Sequence, residues 1–416
     1  MQPATLTAAA TDHADLPRRR WALSAFSHPD FRYLLVGTMG SQMGDWIQTV
    51  GQGWLVYLLT GSAAQLGIFS FIRGLAVLIV TPFGGAIADR TNRRNLLSIS
   101  TFLGAITAVV LAILVAGGWI RIWQLYITAV LDGLVASVSQ PARQVMVYDV
   151  VGAEDLTNAV ALNAMFGNIT RIVGPSLGGL LIGVSGVSSC FFAQAGAYVL
   201  ASGATFLIRT PGTRSANQGS VLRSIGDGVR YALSHRVVLM LLIIATIPSF
   251  FVYPYLRFMP VFANLLGVGA LGYGVLLSGV GIGSIAGAAW VAGMGGFRRQ
   301  GWAMMAGNAI YMAFIAVFAV AGNFWLALGC LAIAGVANTV YNTFNQTQLQ
   351  FNIEDDYRGR VLALYLTFSA ITPLGALLMG LMIDKWSAQP VLFWWCAVAT
   401  LLQLMILVRS KRMRAL

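Results

Sequence analysis

Three charged side chains stand where an apolar helix would ordinarily carry none. Asp45 lies midway along an apolar run over 32–59, Asp132 along one over 121–142, and Arg171 along one over 157–183. An aspartate at the centre of a bilayer costs about 2.5–3.5 kcal/mol on insertion scales, so such a residue faces a cavity or a partner. A carboxylate in that position can take up and release a proton. Asp45 is set among Gln42, Gln48, Thr49 and Gln52, and Gln42, Asp45, Thr49 and Gln52 fall on one helical face. No opposite charge is apparent at its depth, which makes Asp45 the favoured proton carrier. Asp132 and Arg171 lie at similar depths in consecutive runs and are predicted to touch, either as a coupled functional pair or as a pair that merely neutralises itself. Arg73 and Arg257 lie nearer the outer ends, where a long side chain can snorkel to water.

The second half of the chain has no such central carboxylate. It offers Asn338, Tyr341, Asn342 and Asn345 on one face of a run over 324–347. Neutral amides there suit hydrogen bonding to a small-molecule substrate, or helix-to-helix bonding. Pro248, Pro254 and Pro260 make the outer half of the run over 237–262 irregular, because proline removes a helical hydrogen bond.

The elements that must position these residues follow from composition. The chain of 416 residues is 57% hydrophobic and 10% charged, whereas a soluble domain carries about 25% charged residues. It cannot cover itself in water. Apolar runs at 32–59, 64–88, 95–116, 121–142, 157–183 and 187–208 are followed by runs at 237–262, 269–293, 301–320, 324–347, 359–383 and 389–408. Each is long enough for a bilayer core of about 30 Å, which needs about 20 residues of helix. The runs are continuous rather than alternating, which excludes barrel strands. The fold class is therefore all-α integral membrane, with twelve transmembrane helices in two six-helix bundles. The expected organisation is an N-terminal tail (1–28), a first bundle (29–208), a central loop with an amphipathic surface helix (209–236), a second bundle (237–408) and a C-terminal tail (409–416). "AEDLTNAVALN" (153–163) and "EDDYRGRVLALY" (354–365) repeat across the halves, an internal symmetry of the kind secondary transporters show.

Lys and Arg gather in the alternate loops that place both termini in the cytoplasm, Arg143 among them, while the other side has only Arg121 and Lys385. This accounts for the net charge of +12 without a nucleic-acid partner. The first 28 residues hold no apolar signal-peptide core. Cys190, Cys330 and Cys396 are isolated in apolar runs and the three histidines lie outside them, so neither disulfide nor metal site is indicated. No phosphate-binding Gly-Lys-Ser/Thr loop and no hydrolase motif is present, so the sequence reads as neither an enzyme nor a cofactor protein.

The turn "GGAIADRTNRRN" (84–95) joins the second and third runs. Its Gly85-x-x-x-Asp89-Arg90-x-Asn92-Arg93-Arg94 resembles the loop signature of the major facilitator superfamily, with Asn92 where glycine is usual. Asparagine tolerates the left-handed backbone such a turn often needs. "RIVGPSLGG" (171–179) places Gly174 and Gly178 on a close-packing face beside Pro175 and Gly179, and resembles the antiporter motif of exporters in that superfamily. Together with "GDWIQ", "TGSA" and "RGRV", the pattern resembles the branch holding macrolide efflux and enterobactin export proteins.

The resemblance implies a central cavity and alternating access. It implies a cytoplasmic latch of Gly85, Asp89, Arg90, Arg93 and Arg94, with Asp89 capping the helix near 357–359 and the arginines meeting Asp149 or Glu154. The expectation is a monomeric, multi-pass inner-membrane transporter that exports an amphiphilic organic compound, of drug or siderophore class, in exchange for protons. An importing symporter, a lipid transporter and a non-transporting receptor are the alternatives.

Overall fold

The computed structural model describes residues 23–210, 221–293, 299–354, 357, 359–362, 364–365 and 370–409. Within those helices, the side chains of 82–90, 221–225, 227, 408 and 409 lie outside the description. The chain is built of helices α1 (Pro29–Thr60), α2 (Ala63–Arg90), α3 (Arg93–Ala116), α4 (Ile122–Ser185) and α5 (Val187–Phe206). Next come α6 (Val221–Ser234), α7 (Arg236–Phe251), α8 (Met259–Leu265), α9 (Gly269–Gly293), α10 (Gln300–Ala319), α11 (Phe324–Phe351), α12 (Thr372–Trp386) and α13 (Ala388–Arg409). Among the described residues, eight helical stretches are apolar and long enough to cross a membrane by themselves. The sequence count of twelve is larger for three reasons. α4 holds two spans, α1 and α5 are diluted by polar side chains, and part of the eleventh run lies outside the described residues.

Local chemistry sets the ends of the elements. α1 starts with Pro29 in its first turn and stops at Gly61, whose φ of 62° favours a residue without a β-carbon. Asn92 has φ −69° and ψ 110°, which corrects the left-handed conformation expected of it. Its side-chain oxygen instead accepts from the backbone N–H groups of Arg94 (3.0 Å) and Asn95 (3.4 Å). Asparagine thus serves this turn as the N-cap of α3.

The connection expected over 143–156 is also corrected. α4 is helical throughout except at Gly152, where φ 70° and ψ −177° turn the chain between its two arms. Arg143 is accordingly part of a helix and buried (8% exposed), not a loop charge. The irregularity expected from the prolines is present: α7 ends at Phe251, a 3-10 segment covers Tyr253–Phe258, and α8 resumes with Pro260 in its first turn.

In the first half α1 packs on both α4 and α5, α2 on α4, and α3 on α5. In the second half α11 packs on α9 and α10, and α10 on α13. Two seams join the halves, α2 against α12 and α4 against α9. Both are made of glycines lying on backbone. A β-carbon on Gly67 would stand 2.7 Å from Ala376 O, and one on Gly380 would stand 2.6 Å from Ala63 O. In the other seam a β-carbon on Gly179 would stand 2.7 Å from Ala270 O.

These contacts fall towards the end of the bundle opposite the arginine-rich loops. There Asp384 of α12 accepts from Ser62 Oγ and from Ala63 N (2.7 Å), capping α2 from across the seam. At the same end the ring of Trp54 stacks on Tyr273, with centroids 6.0 Å apart. The halves are therefore held together at this end.

Candidate functional site

The first half encloses a polar cavity of about 120 Å³ between α1, α2, α3, α4 and α5. Asp45, Gln48, Arg73, Asp132, Arg143 and Tyr198 are among the residues that line it. Asp132 is buried, and its Oδ2 accepts from Gln48 Nε2 (2.6 Å) and Gln52 Nε2 (2.9 Å). The two amides are four residues apart on α1, so they stand one above the other on the same face. Asp45, three residues before Gln48, is half-buried, and its Oδ1 accepts from the Tyr198 hydroxyl at 2.5 Å.

Two glycines make room for that tyrosine. A β-carbon on Gly44 would lie 2.6 Å from its ring, and one on Gly104 would lie 2.8 Å from the opposite edge. The ring is slotted between α1 and α3, and its hydroxyl has one carboxylate to serve.

The expected pairing of Asp132 with Arg171 does not form. Asp132 is taken by the two amides and shares its cavity with Arg73 and Arg143. Arg171 instead lies where α4 packs on α9 of the second half, and a β-carbon on Gly281 would stand 3.3 Å from Arg171 O. Equal depth brought the two residues to one level, but α4 presents them on different sides. Arg73, which is part-exposed, also lines the cavity. Gln42 turns away from it, and its Oε1 accepts from Thr170 Oγ1 (3.1 Å) on the second arm of α4.

The antiporter-like stretch lies between α1 and α9. A β-carbon on Gly174 would stand 2.5 Å from Trp46 Cβ, and one on Gly178 would stand 3.0 Å from Val50 Cβ. Gly179 faces α9, and a β-carbon on Gly274 of α9 would stand 2.4 Å from Pro175 O. Ser176 and Ser278 share a hydrogen bond of 2.7 Å across the same seam. The motif joins the core of one half to the other.

The four candidate substrate contacts of α11 divide into two pairs. Asn338 and Asn342 donate to the Tyr253 hydroxyl at 2.7 and 2.8 Å, which leaves the phenol proton for another acceptor. Tyr341 donates to Ile244 O (3.2 Å) and Asn345 donates to Leu241 O (3.4 Å), so these two tie α11 to α7 inside the second half.

At the arginine-rich end, Arg93 Nη1 lies 2.9 Å from Asp149 Oδ2 and Arg94 Nη1 donates to Ile208 O (2.8 Å). The side chains of Gly85, Asp89 and Arg90 lie outside the described residues. So does part of the segment that Asp89 was expected to cap.

Sequence reasoning missed Tyr198, Arg143 and Tyr253. Tyr253 had a signal, since it lies between prolines that break the helix. Arg143 was masked by its place beside an expected loop, and Tyr198 looks like any aromatic in an apolar run.

A nearly all-helical chain with two glycine seams and a polar cavity inside one half has a counterpart among known proteins. Residues 21–415 match the family described as transmembrane secretion effector. The chain belongs to this family of major facilitator transporters.

Its fold is the major facilitator fold. The crystal structure of the nucleoside transporter NupG superposes with a TM-score of 0.73 at 13% identity, covering 92% of this chain and 99% of that one. Among curated relatives, the staphyloferrin A transporter of Staphylococcus aureus is 28% identical over 82% of this chain and 86% of its own length. The multidrug efflux pump Tap of Mycolicibacterium fortuitum is 27% identical over 84% of this chain and 88% of its own. The enterobactin exporter EntS of Shigella flexneri is 24% identical over 93% and 94%. This family member is thus a multi-pass membrane transporter rather than an enzyme.

Proposed function

We propose that the protein is a secondary active transporter that exports an amphiphilic organic compound, of drug or siderophore class, in exchange for protons. The observation that carries the reading is the polar cavity with two carboxylates in lipid-embedded helices, Asp132 held by Gln48 and Gln52, and Asp45 held by Tyr198. Ionisable groups at that depth mark proton or substrate pathways. Asp45 has a single donor and is half-buried, so it is the group that exchanges a proton, while Asp132 is fixed by two amides and sets the charge around it.

The moving units are the bundles of 29–208 and 237–408, which rock about the glycine seams in the cell (inner) membrane with both termini in the cytoplasm. Asp89, Arg90, Arg93 and Arg94, with Gly85, form the latch at the cytoplasmic end, and Asn338 and Asn342 offer the second half's contacts to the substrate. Outward flux is favoured by the roles of two relatives, an efflux pump and an exporter.

The test is Asp45→Asn in proteoliposomes with an imposed pH gradient. Asparagine keeps the shape and can still accept from Tyr198, but it cannot carry a proton. A folded variant that binds substrate and no longer pumps is expected. Wild-type proton-driven flux in this variant would remove Asp45 from the role, and flux only into the cytoplasmic side would reverse the direction.

A further inference from the structure

The cavity holds a cation two of whose nitrogens have no hydrogen-bond partner among the described residues. Arg143 is 8% exposed, and its Nε and Nη1 atoms are buried without a hydrogen-bond partner among the described residues. Its side chain lines the cavity. Nearby, Asp132 Oδ2 accepts from Gln48 and Gln52, and Asp45 Oδ1 accepts from Tyr198. Among the described residues no ion pair links Arg143 to either of them, although the charge of Asp45 is felt at the guanidinium. Removing a guanidinium from water without partners costs several kcal/mol. A site that carries this cost is suited to an anion that comes and goes.

The size of the cavity narrows the ligand. A cavity of about 120 Å³ has room for a few ordered waters or one small polar group. That admits one polar end of a molecule, not the whole of an amphiphile. A planar carboxylate matches the fork of a guanidinium and bonds to it more strongly than a neutral group does.

Arg73 supplies a second positive charge to the same cavity. Asp45 and Asp132 in the same lining balance the charges of Arg73 and Arg143, so the cavity is neutral overall. An anion is favoured locally, at the nitrogens of Arg143 that lack a partner among the described residues, rather than by a net field.

We propose that this cavity is an oxyanion subsite, and that the transported compound carries a carboxylate, or a planar oxyanion of like size, which Arg143 grips with Arg73 in support. The inference rests on the transporter reading given above but does not depend on the direction of flux or on protons. Arg143 acts as a binding residue on the substrate's charged end, and the apolar remainder of the compound lies outside this cavity.

The test uses three probes of one shape and different charge: benzoate, benzamide and benzylammonium. The full-length protein in lipid nanodiscs is titrated with each, and binding is read as the rise in thermal midpoint with concentration. Benzoate is expected to stabilise the protein and the other two are not. Arg143→Gln is expected to weaken benzoate at least tenfold, Arg143→Lys to weaken it less, and Asp45→Asn to tighten it by removing a negative charge from beside the site. Equal stabilisation by benzamide, or unchanged benzoate binding in Arg143→Gln, would overturn the proposal. If Arg143→Gln does not fold, the wild-type charge series and Arg143→Lys decide the matter.

Flux measured on the same preparation separates this inference from the reading beneath it. Benzoate binding through Arg143 in a protein that moves no compound would leave the subsite standing and remove the transporter reading. Transport indifferent to substrate charge and to Arg143 would do the reverse.

Discussion

Gly274→Ala is a sharp probe of the seam between α4 and α9. The added β-carbon would stand 2.4 Å from Pro175 O, 3.0 Å from Gly179 Cα and 3.2 Å from Gly179 N. All three atoms are backbone, so no side chain can rotate out of the way. Ordinary contact begins at about 3.4 Å, and α9 must therefore withdraw from α4 by about 1 Å. Overpacking of this kind costs about 1–3 kcal/mol. At about 1.4 kcal/mol per tenfold, the equilibrium shifts about 5- to 140-fold away from the arrangement in which this end of the halves is closed.

Spin labels at Trp119→Cys and Trp325→Cys report the separation. Both positions are exposed at this end, one in each half, and the three native cysteines are buried. Double electron–electron resonance is expected to show a longer-distance population growing in Gly274→Ala, with lower flux. An unchanged distance distribution together with unchanged flux would refute the view that the glycine seam holds the two halves closed.

Two further predictions concern the arginine-rich end. Arg93 and Asp149 pair at 2.9 Å with side chains only 3% and 5% exposed, so Arg93→Gln breaks a buried ion pair and is expected to destabilise the protein by about 3–5 kcal/mol. Adding Asp149→Asn is expected to restore part of the loss in thermal unfolding, and a single-variant loss within 1 kcal/mol, on the order of a surface pair, would contradict the burial argument. At the start of α1, burial pushes the Asp30 carboxyl up, but the Thr210 hydroxyl and amide and the Arg209 amide donate to it and hold it below its ordinary value of 3.8. A lowered folded-state value gives stability that is complete above the ordinary value and is lost as pH falls through the lower one. Thr210→Ala is therefore expected to move the acid limb of the thermal midpoint to higher pH, and identical acid limbs would count against it.

The spans were legible in the sequence because the requirement behind them is local. A segment in lipid must satisfy its own backbone hydrogen bonds, so a continuous apolar run of sufficient length is a helix wherever its neighbours lie. The break after α7 was legible for the same reason, since Pro248, Pro254 and Pro260 act on their own turns. That Asp45 and Asp132 would sit in polar surroundings was legible because charge in an apolar run is visible without any partner. The loop signature around Asn92 was also legible, although the residue fills the position by capping α3 and not by turning left-handed.

What each charged group touches was decided only by the tertiary structure. Depth along a helix can be counted in residues, but the direction a side chain faces depends on how each helix is rotated against its neighbours. Asp132 and Arg171 share a depth and do not share a face, so Asp132 took Gln48 and Gln52 from α1 instead. Tyr198 reaches Asp45 only because Gly44 and Gly104, on two other helices, leave a slot for its ring. Arg143 looked like a loop charge until one glycine, Gly152, was seen to make the whole turn and leave the arginine inside a helix. Apolar patterning depends on each segment alone and can be read in one dimension. The cavity is formed by five helices at once, and its lining exists only after they pack.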